Sequence, residues 1–169
     1  MEPDVIEFRE GNIPPKELSM GRIEEAIRDM LEWSRNNIPG WSPPPKLEDT
    51  KDPAFYNAPS ELKKLWLKHD GGIMFAGTYT LLSVQDCKDE LSSLNKSRHW
   101  KSTYLPFAKD KNGGFLVMDK DTGQVLEWHP EQGFIQNLGD TLGHFLTNTR
   151  HNMLANFMYI EGDGLVDRI

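Results

Sequence analysis

The stretch from Tyr104 to Asn137 constrains this chain more than any other. It holds four short runs rich in aromatic and β-branched residues: Tyr104-Leu-Pro-Phe-Ala108, Phe115-Leu-Val-Met118, Val125-Leu-Glu-Trp128 and Phe134-Ile-Gln-Asn137. Turn residues separate each run from the next. Asn112-Gly113 suits a two-residue turn that needs positive φ, Asp121-Thr-Gly123 suits a tight loop with glycine at the left-handed position, and Gln132-Gly133 closes the third connection. The pattern predicts a four-strand antiparallel meander. The remaining segments must then supply what covers one face of it.

Those segments read mainly as helices. Ser19 is a good N-cap, and Ile23, Ala26, Ile27, Met30 and Leu31 recur at helical spacing, which predicts an amphipathic helix from Met20 to about Arg35. Pro59 suits the start of a second helix with Leu62, Leu65, Trp66 and His69 on one stripe, and Gly71-Gly72 stops it. Ile73 to Ala76 and Thr78 to Leu82 form an edge hairpin around Gly77. Ser83 caps a third helix that buries Val84, Cys87, Leu91 and Leu94, and Asp140 caps a last one carrying Leu142, Phe145 and Leu146, with Met153, Leu154 and Phe157 continuing or restarting it. Residues 1–18 form a polar N-terminal arm, and residues 36–57 form a proline-rich insertion read as a surface loop. Within it Trp41 and Phe55-Tyr56 either pin the loop to the domain or meet a partner. Residues 159–169 form an acidic tail with a candidate hairpin at Asp163-Gly164. The fold class expected is α+β: a single domain with a curved antiparallel sheet, made of the central meander plus an edge hairpin, and helices packed on one side.

Several functional classes fall away on composition. The net charge of −7 lacks the basic footprint of a sequence-independent nucleic-acid binder and suits a basic protein partner. The basic cluster of Lys96, Arg98, Lys101, Lys109 and Lys111 is local, and a solvated rim accounts for it. One cysteine, Cys87, forms no internal disulfide and fits a reducing compartment. No apolar run nears the roughly 18 residues of a membrane span, and the N-terminus lacks signal-peptide character, so a cytoplasmic location is expected with no membrane association.

The candidate chemistry is thin. Asp110, Asp119 and Asp121 lie near glycines, but Asp119-Lys-Asp121-Thr-Gly123 lacks the later positions of a calcium loop, and turn chemistry explains it. The five histidines, His69, His99, His129, His144 and His151, show no metal-site spacing. There is no nucleophile elbow or phosphate loop, and Cys87 falls on a packing stripe. No cofactor or metal is expected, and nothing marks the chain as an enzyme.

The order of these signals carries more than any one of them. A helix ending His69-Asp70-Gly71-Gly72 leads to a hairpin entering Tyr79-Thr-Leu-Leu82-Ser-Val-Gln, then to a helix toward Trp100. Leu105-Pro-Phe-Ala108, the hairpin Asp110 to Asp119, Gly123-Gln-Val125 to Trp128, and Leu142-Gly-His-Phe145-Leu146 follow. This series, from about Ser19 to Leu146, resembles the SUKH superfamily, the domain of the fungal Smi/Knr cell-wall assembly regulators and of many bacterial immunity proteins. The family pattern has asparagine before the two glycines where this chain has Asp70, and the 36–57 insertion is longer than its compact bacterial members need. The resemblance places a SUKH-like domain at 19–158 and implies non-catalytic protein binding.

Three functions are therefore weighed. One is an immunity-type protein that neutralises a basic toxin domain, such as a nuclease. Another is a regulator or adaptor of the cell-wall assembly and signalling type. The third is an uncharacterised hydrolase built on His69, Asp70 and the meander carboxylates. For a binding face, the candidates lie where the Gly71-Gly72 turn approaches the sheet: Asp70, Tyr79, Trp100, Asp110, Asp119 and Trp128, with the aromatics as anchors and the aspartates as charge partners. The alternative for most of them is structural, with Trp128 in the core, Tyr79 packed in the edge pair and the aspartates serving turns.

Overall fold

The computed structural model describes residues 15–48, 50–75, 79–154, 158–161 and 164–167. Its centre is the expected meander: β2 (Tyr104–Lys109), β3 (Phe115–Asp119), β4 (Val125–His129) and β5 (Gly133–Gly139). β1 (Thr80–Leu81) adds to the β2 side, giving a five-stranded antiparallel sheet in the order β1-β2-β3-β4-β5. The arm Ile73–Phe75 runs back along Tyr79–Leu81, with the Leu81 amide donating to Ile73 O at 2.7 Å and Phe75 to Tyr79 O at 2.7 Å. That completes the edge hairpin, whose tip at 76–78 lies outside the described residues. Register shifts in β2 and twice along the β4–β5 pair mark bulges, which bend and twist a sheet into a curved surface.

Helix α1 (Pro15–Asn37), the short α2 (Pro53–Tyr56), α3 (Ser60–Lys68), α4 (Val84–Leu94) and α5 (Leu142–Leu154) surround this sheet. Leu105, Phe107, Leu116, Met118 and Val125 face the main core, where they join Ile23, Ala26, Ile27 and Met30 of α1, Leu62, Leu65 and Trp66 of α3, and Phe145 and Leu146 of α5. Phe75, Phe107 and Phe145 pack edge to face, with centroids 5.6 to 6.3 Å apart, so one aromatic cluster ties the hairpin, the sheet and α5 together. The Arg150 guanidinium Nε donates to Asp29 Oδ2 at 2.6 Å and bolts α5 to α1. Buried Trp66 donates its indole N–H to Leu82 O at 2.8 Å, which satisfies the one polar atom it carries into the core.

The opposite sheet face is not bare. Tyr104, Phe115, Val117, Leu126 and Trp128 form a second cluster, covered by Leu94 and by Trp100 from the connection after α4. Burial on both faces is why the strands read as continuous apolar runs rather than alternating ones.

Some expectations are corrected. α1 starts at Pro15, so residues 15–18 of the expected arm are helical and Ser19 is not its cap. Proline has a fixed φ and no amide to satisfy, which suits a first helical position. The rest of the arm lies outside the described residues. The β2–β3 connection is the five-residue loop Asp110–Gly114 rather than a two-residue turn, because the Asp110 side chain organises it. Thr141, not Asp140, caps α5: its Oγ1 accepts from His144 N at 3.0 Å. The 36–57 insertion is part of the folded body, since Phe55 is buried, Leu47 packs on the core and Asp52 caps α2. Of its aromatics Phe55 pins the segment, while Tyr56 is exposed beneath the Lys63 ammonium. In the tail, β6 (Met158–Glu161) and β7 (Gly164–Asp167) pair antiparallel, and Phe157 and Asp163 lie outside the described residues.

Candidate interaction surface

The Gly71-Gly72 junction is held by backbone hydrogen bonds and by its neighbours. Gly71 takes φ of +96°, and a Cβ there would meet Ser83 N at 3.0 Å, so only glycine lets the chain pass α4 so closely. Asp70 Oδ1 accepts from Val84 N at 2.8 Å, and Ser83 Oγ accepts from Asp86 N at 3.0 Å, so two side chains satisfy the first amides of α4. An aspartate does this better than an asparagine, because its charge faces the positive end of the helix. The Asp70 amide donates to Pro45 O at 2.7 Å, and Pro44 stands against Gly72. The proline run of the insertion therefore lies alongside the junction where a binding face is expected.

Tyr79, Asp110 and Gly114 meet at the other end of the sheet. The Asp110 carboxylate accepts from Asn112 N at 2.9 Å and Gly114 N at 2.7 Å. Tyr79 crosses over Gly114, where an added Cβ would lie 2.9 Å from its hydroxyl. The hydroxyl donates to Glu127 Oε2 at 2.7 Å, and Glu127 Oε1 accepts from Gln136 Nε2 at 2.8 Å, so a polar relay runs from the hairpin to β5. Burial first, then the bonded Glu127 carboxylate and nearby Asp110, hold the Tyr79 phenol well above its ordinary range.

The six sequence candidates fall in separate places. Trp128 is fully buried and donates to His99 O at 3.3 Å. Trp100, half-buried, packs edge-on against Trp128 at 4.9 Å and Tyr104 at 5.4 Å. Both belong to the second core, so the expectation that Trp128 anchors a partner does not fit its burial. Tyr79 is also buried, with its hydroxyl committed to Glu127. Asp119 sits at the opposite end of the β2–β3 hairpin from Asp110 and accepts from Asp121 N at 3.0 Å. Each of the three aspartates binds backbone amides.

Groups with reactive potential are similarly engaged or shielded. Burial pushes the Cys87 thiol up to about 12, with Asp52 and Glu90 adding to the effect and Lys120 opposing it. Burial, then the Lys68 charge, lowers the His69 imidazole below its usual range. His69 lies beside Asp70 in sequence, but the Asp70 carboxylate faces α4. Among the described residues no cluster of metal-ligating side chains occurs, and no helix is long and apolar enough to cross a membrane.

The surface the sequence candidates miss is β5. It pairs with β4 on one side, and no other described strand pairs with its outer edge. Phe134 and Ile135, 55% and 42% exposed, are two of the four large apolar side chains that stand open to solvent among the described residues. A signal was present: Phe134-Ile-Gln-Asn137 is the last strand of a meander and carries no charge to guard it.

The model of the SMI1 / KNR4 family (SUKH-1) matches residues 56–148, from the end of α2 through the whole sheet into α5. α1 and most of the insertion lie outside the matched span. A search of curated proteins gives no match. The match covers more than half of the chain and takes in α3, the Gly71-Gly72 junction, the edge hairpin, the meander and the first half of α5; the chain belongs to the SMI1 / KNR4 family (SUKH-1).

Proposed function

We propose that this SUKH-type domain is a non-catalytic protein-binding module of the immunity type, which binds and neutralises a basic toxin domain in the cytoplasm. One observation carries the reading. The carboxylates with catalytic potential, Asp70, Asp110 and Asp119, are bound to backbone amides, whereas an apolar pair stands open on a sheet edge of a protein with net charge −7. Exposed apolar surface on an otherwise polar exterior marks contact sites, and an acidic inhibitor gains association rate from steering toward a basic target. Co-expression with a toxin encoded beside it tests the reading. Growth is rescued if it holds; unrelieved toxicity, with no complex at micromolar concentration, sinks it.

The adaptor reading draws on the exposed Tyr56 and the half-buried Trp41 of the insertion. Removing residues 36–57 would also remove Phe55 and Pro45 from the folded body, so point changes serve better. Trp41→Ala with Tyr56→Ala leaves an inhibitor active and disables an adaptor that binds through the insertion. A substrate screen with a His69→Ala control addresses the hydrolase reading.

A further inference from the structure

We propose that the outer edge of β5 is the docking line for an extended segment of a partner protein, apolar or neutral at its centre and basic at both ends, which adds to the sheet as a short extra strand. This rests on the protein-binding reading above and specifies where and how binding occurs.

Four observations lead to it. β5 is the terminal strand of the sheet, and its outer edge is unpaired among the described strands. Such an edge presents a row of backbone donors and acceptors that an incoming strand can satisfy. Native edges of this kind are commonly guarded by lysine or proline, and Gly133-Phe-Ile-Gln-Asn-Leu-Gly139 has neither. Two recesses flank the strand and meet at Asn137. One, of about 670 Å³, includes Phe134, Leu126 and Tyr104; the other, of about 570 Å³, includes His144, Thr147 and Asn148 of α5. Successive side chains of an added strand point to opposite faces, so alternate residues would enter each recess.

Charge chooses between occupants. Exposed Glu131 precedes the strand and exposed Asp140 follows it, with half-buried Asp119 beside the first recess. Two copies pairing antiparallel about Gln136 would bring Glu131 of one within one position of Asp140 of the other, at both ends. Lys101 and His99 line the first recess and not the second, to which Asp140 belongs. The two bulges in the β4–β5 pair also disfavour a long flat pairing of identical edges and leave a short register for a foreign segment. A segment with basic ends meets carboxylates where a second copy meets repulsion.

The test uses the full chain and two synthetic probes, Lys-Val-Thr-Val-Thr-Val-Lys and Glu-Val-Thr-Val-Thr-Val-Glu. NMR titration reads site and affinity together. The lysine-ended probe is expected to shift and protect the amides of Phe134 to Leu138. It should bind roughly fivefold to tenfold more tightly than the glutamate-ended one, the range expected of two exposed charge pairs. Ile135→Lys, which places a charge at the centre of the edge strand, weakens binding of the lysine-ended probe roughly fivefold or more without changing the thermal midpoint. No binding by the lysine-ended probe, shifts centred away from β5, or equal affinity for both probes overturns the proposal. Concentration-dependent dimerisation that Ile135→Lys abolishes assigns the edge to a second copy and overturns it as well. A toxin complex that forms with β5 amide exchange unchanged retires the edge alone. Probe binding at β5 without toxin rescue retires the immunity role alone.

Discussion

Replacing Gly71 with alanine isolates the constraint at the Gly71-Gly72 junction, and Gly113 supplies the control. Both residues hold positive φ, +96° and +88°. A Cβ in that region costs about 1–2 kcal/mol at either site. At Gly113 nothing lies within 4 Å of the added Cβ, so that cost is the whole effect. At Gly71 the Cβ meets Ser83 N at 3.0 Å, Ser83 Cα at 3.2 Å and Leu81 O at 3.4 Å. All three are backbone atoms and cannot rotate away. Relief requires Ser83 to shift, which loosens its cap on α4, at about 0.5–2 kcal/mol. The Gly72 amide bond to Leu81 O at 2.9 Å is strained too, at about 1 kcal/mol. Gly71→Ala should therefore cost about 2.5–5 kcal/mol against about 1–2 for Gly113→Ala, a large part of a typical domain's stability. Urea unfolding followed by tryptophan fluorescence gives both values from the midpoints at constant slope. Equal losses in the two variants would refute the close approach of Gly71 to Ser83.

Further consequences are measurable. Tyr79→Phe removes a half-buried bond to a carboxylate and should destabilise by about 1.5–3 kcal/mol in the same assay. The folded protein favours the protonated Tyr79 phenol and Cys87 thiol, so as pH rises the unfolded chain releases these protons first, the thiol near 9 and the phenol near 10. Stability is thus fully present below pH about 9 and falls as pH climbs above it, and Tyr79→Phe flattens the part of the decline above about 10. With its thiol buried and pushed up to about 12, Cys87 should resist alkylation at pH about 8 until urea unfolds the chain; rapid labelling of the native protein contradicts that packing. Trp100→Ala uncovers Trp128 and Tyr104 and should cost about 2–4 kcal/mol with a red-shifted emission, whereas an unshifted spectrum means the second core is closed without it.

The meander was legible because both of its faces are buried: apolar runs such as Tyr104–Ala108 stand out between glycine-bearing turns. α3 and α4 were legible from their periodicity and from the Ser83 cap. Elsewhere the decisive contacts are long-range or act through one side chain. Asp110 enlarges a turn that Asn112-Gly113 alone would have closed in two residues. Trp100 lies in an irregular connection with no period to announce that it covers a sheet face. The candidate site fared differently. Residue type singles out aspartates and aromatics as a partner-binding set, with packing and turns as the alternative; the structure shows capping for Asp70, turn bonds for Asp110 and Asp119 and packing for Trp128. Phe134 and Ile135 carry a strand signal, yet which strand ends a sheet, and which side chains its outer edge leaves open, depends on the assembled topology.

Calorimetric titration of the purified chain into a basic toxin domain, at low and at high salt, tests the proposed immunity role most directly. A non-catalytic acidic binder gives a one-to-one complex of micromolar or tighter affinity, weakened by salt, with the toxin's activity lost in proportion to the complex formed. Absence of binding heat at either salt, or toxin loss that continues at substoichiometric amounts of this protein, contradicts the account.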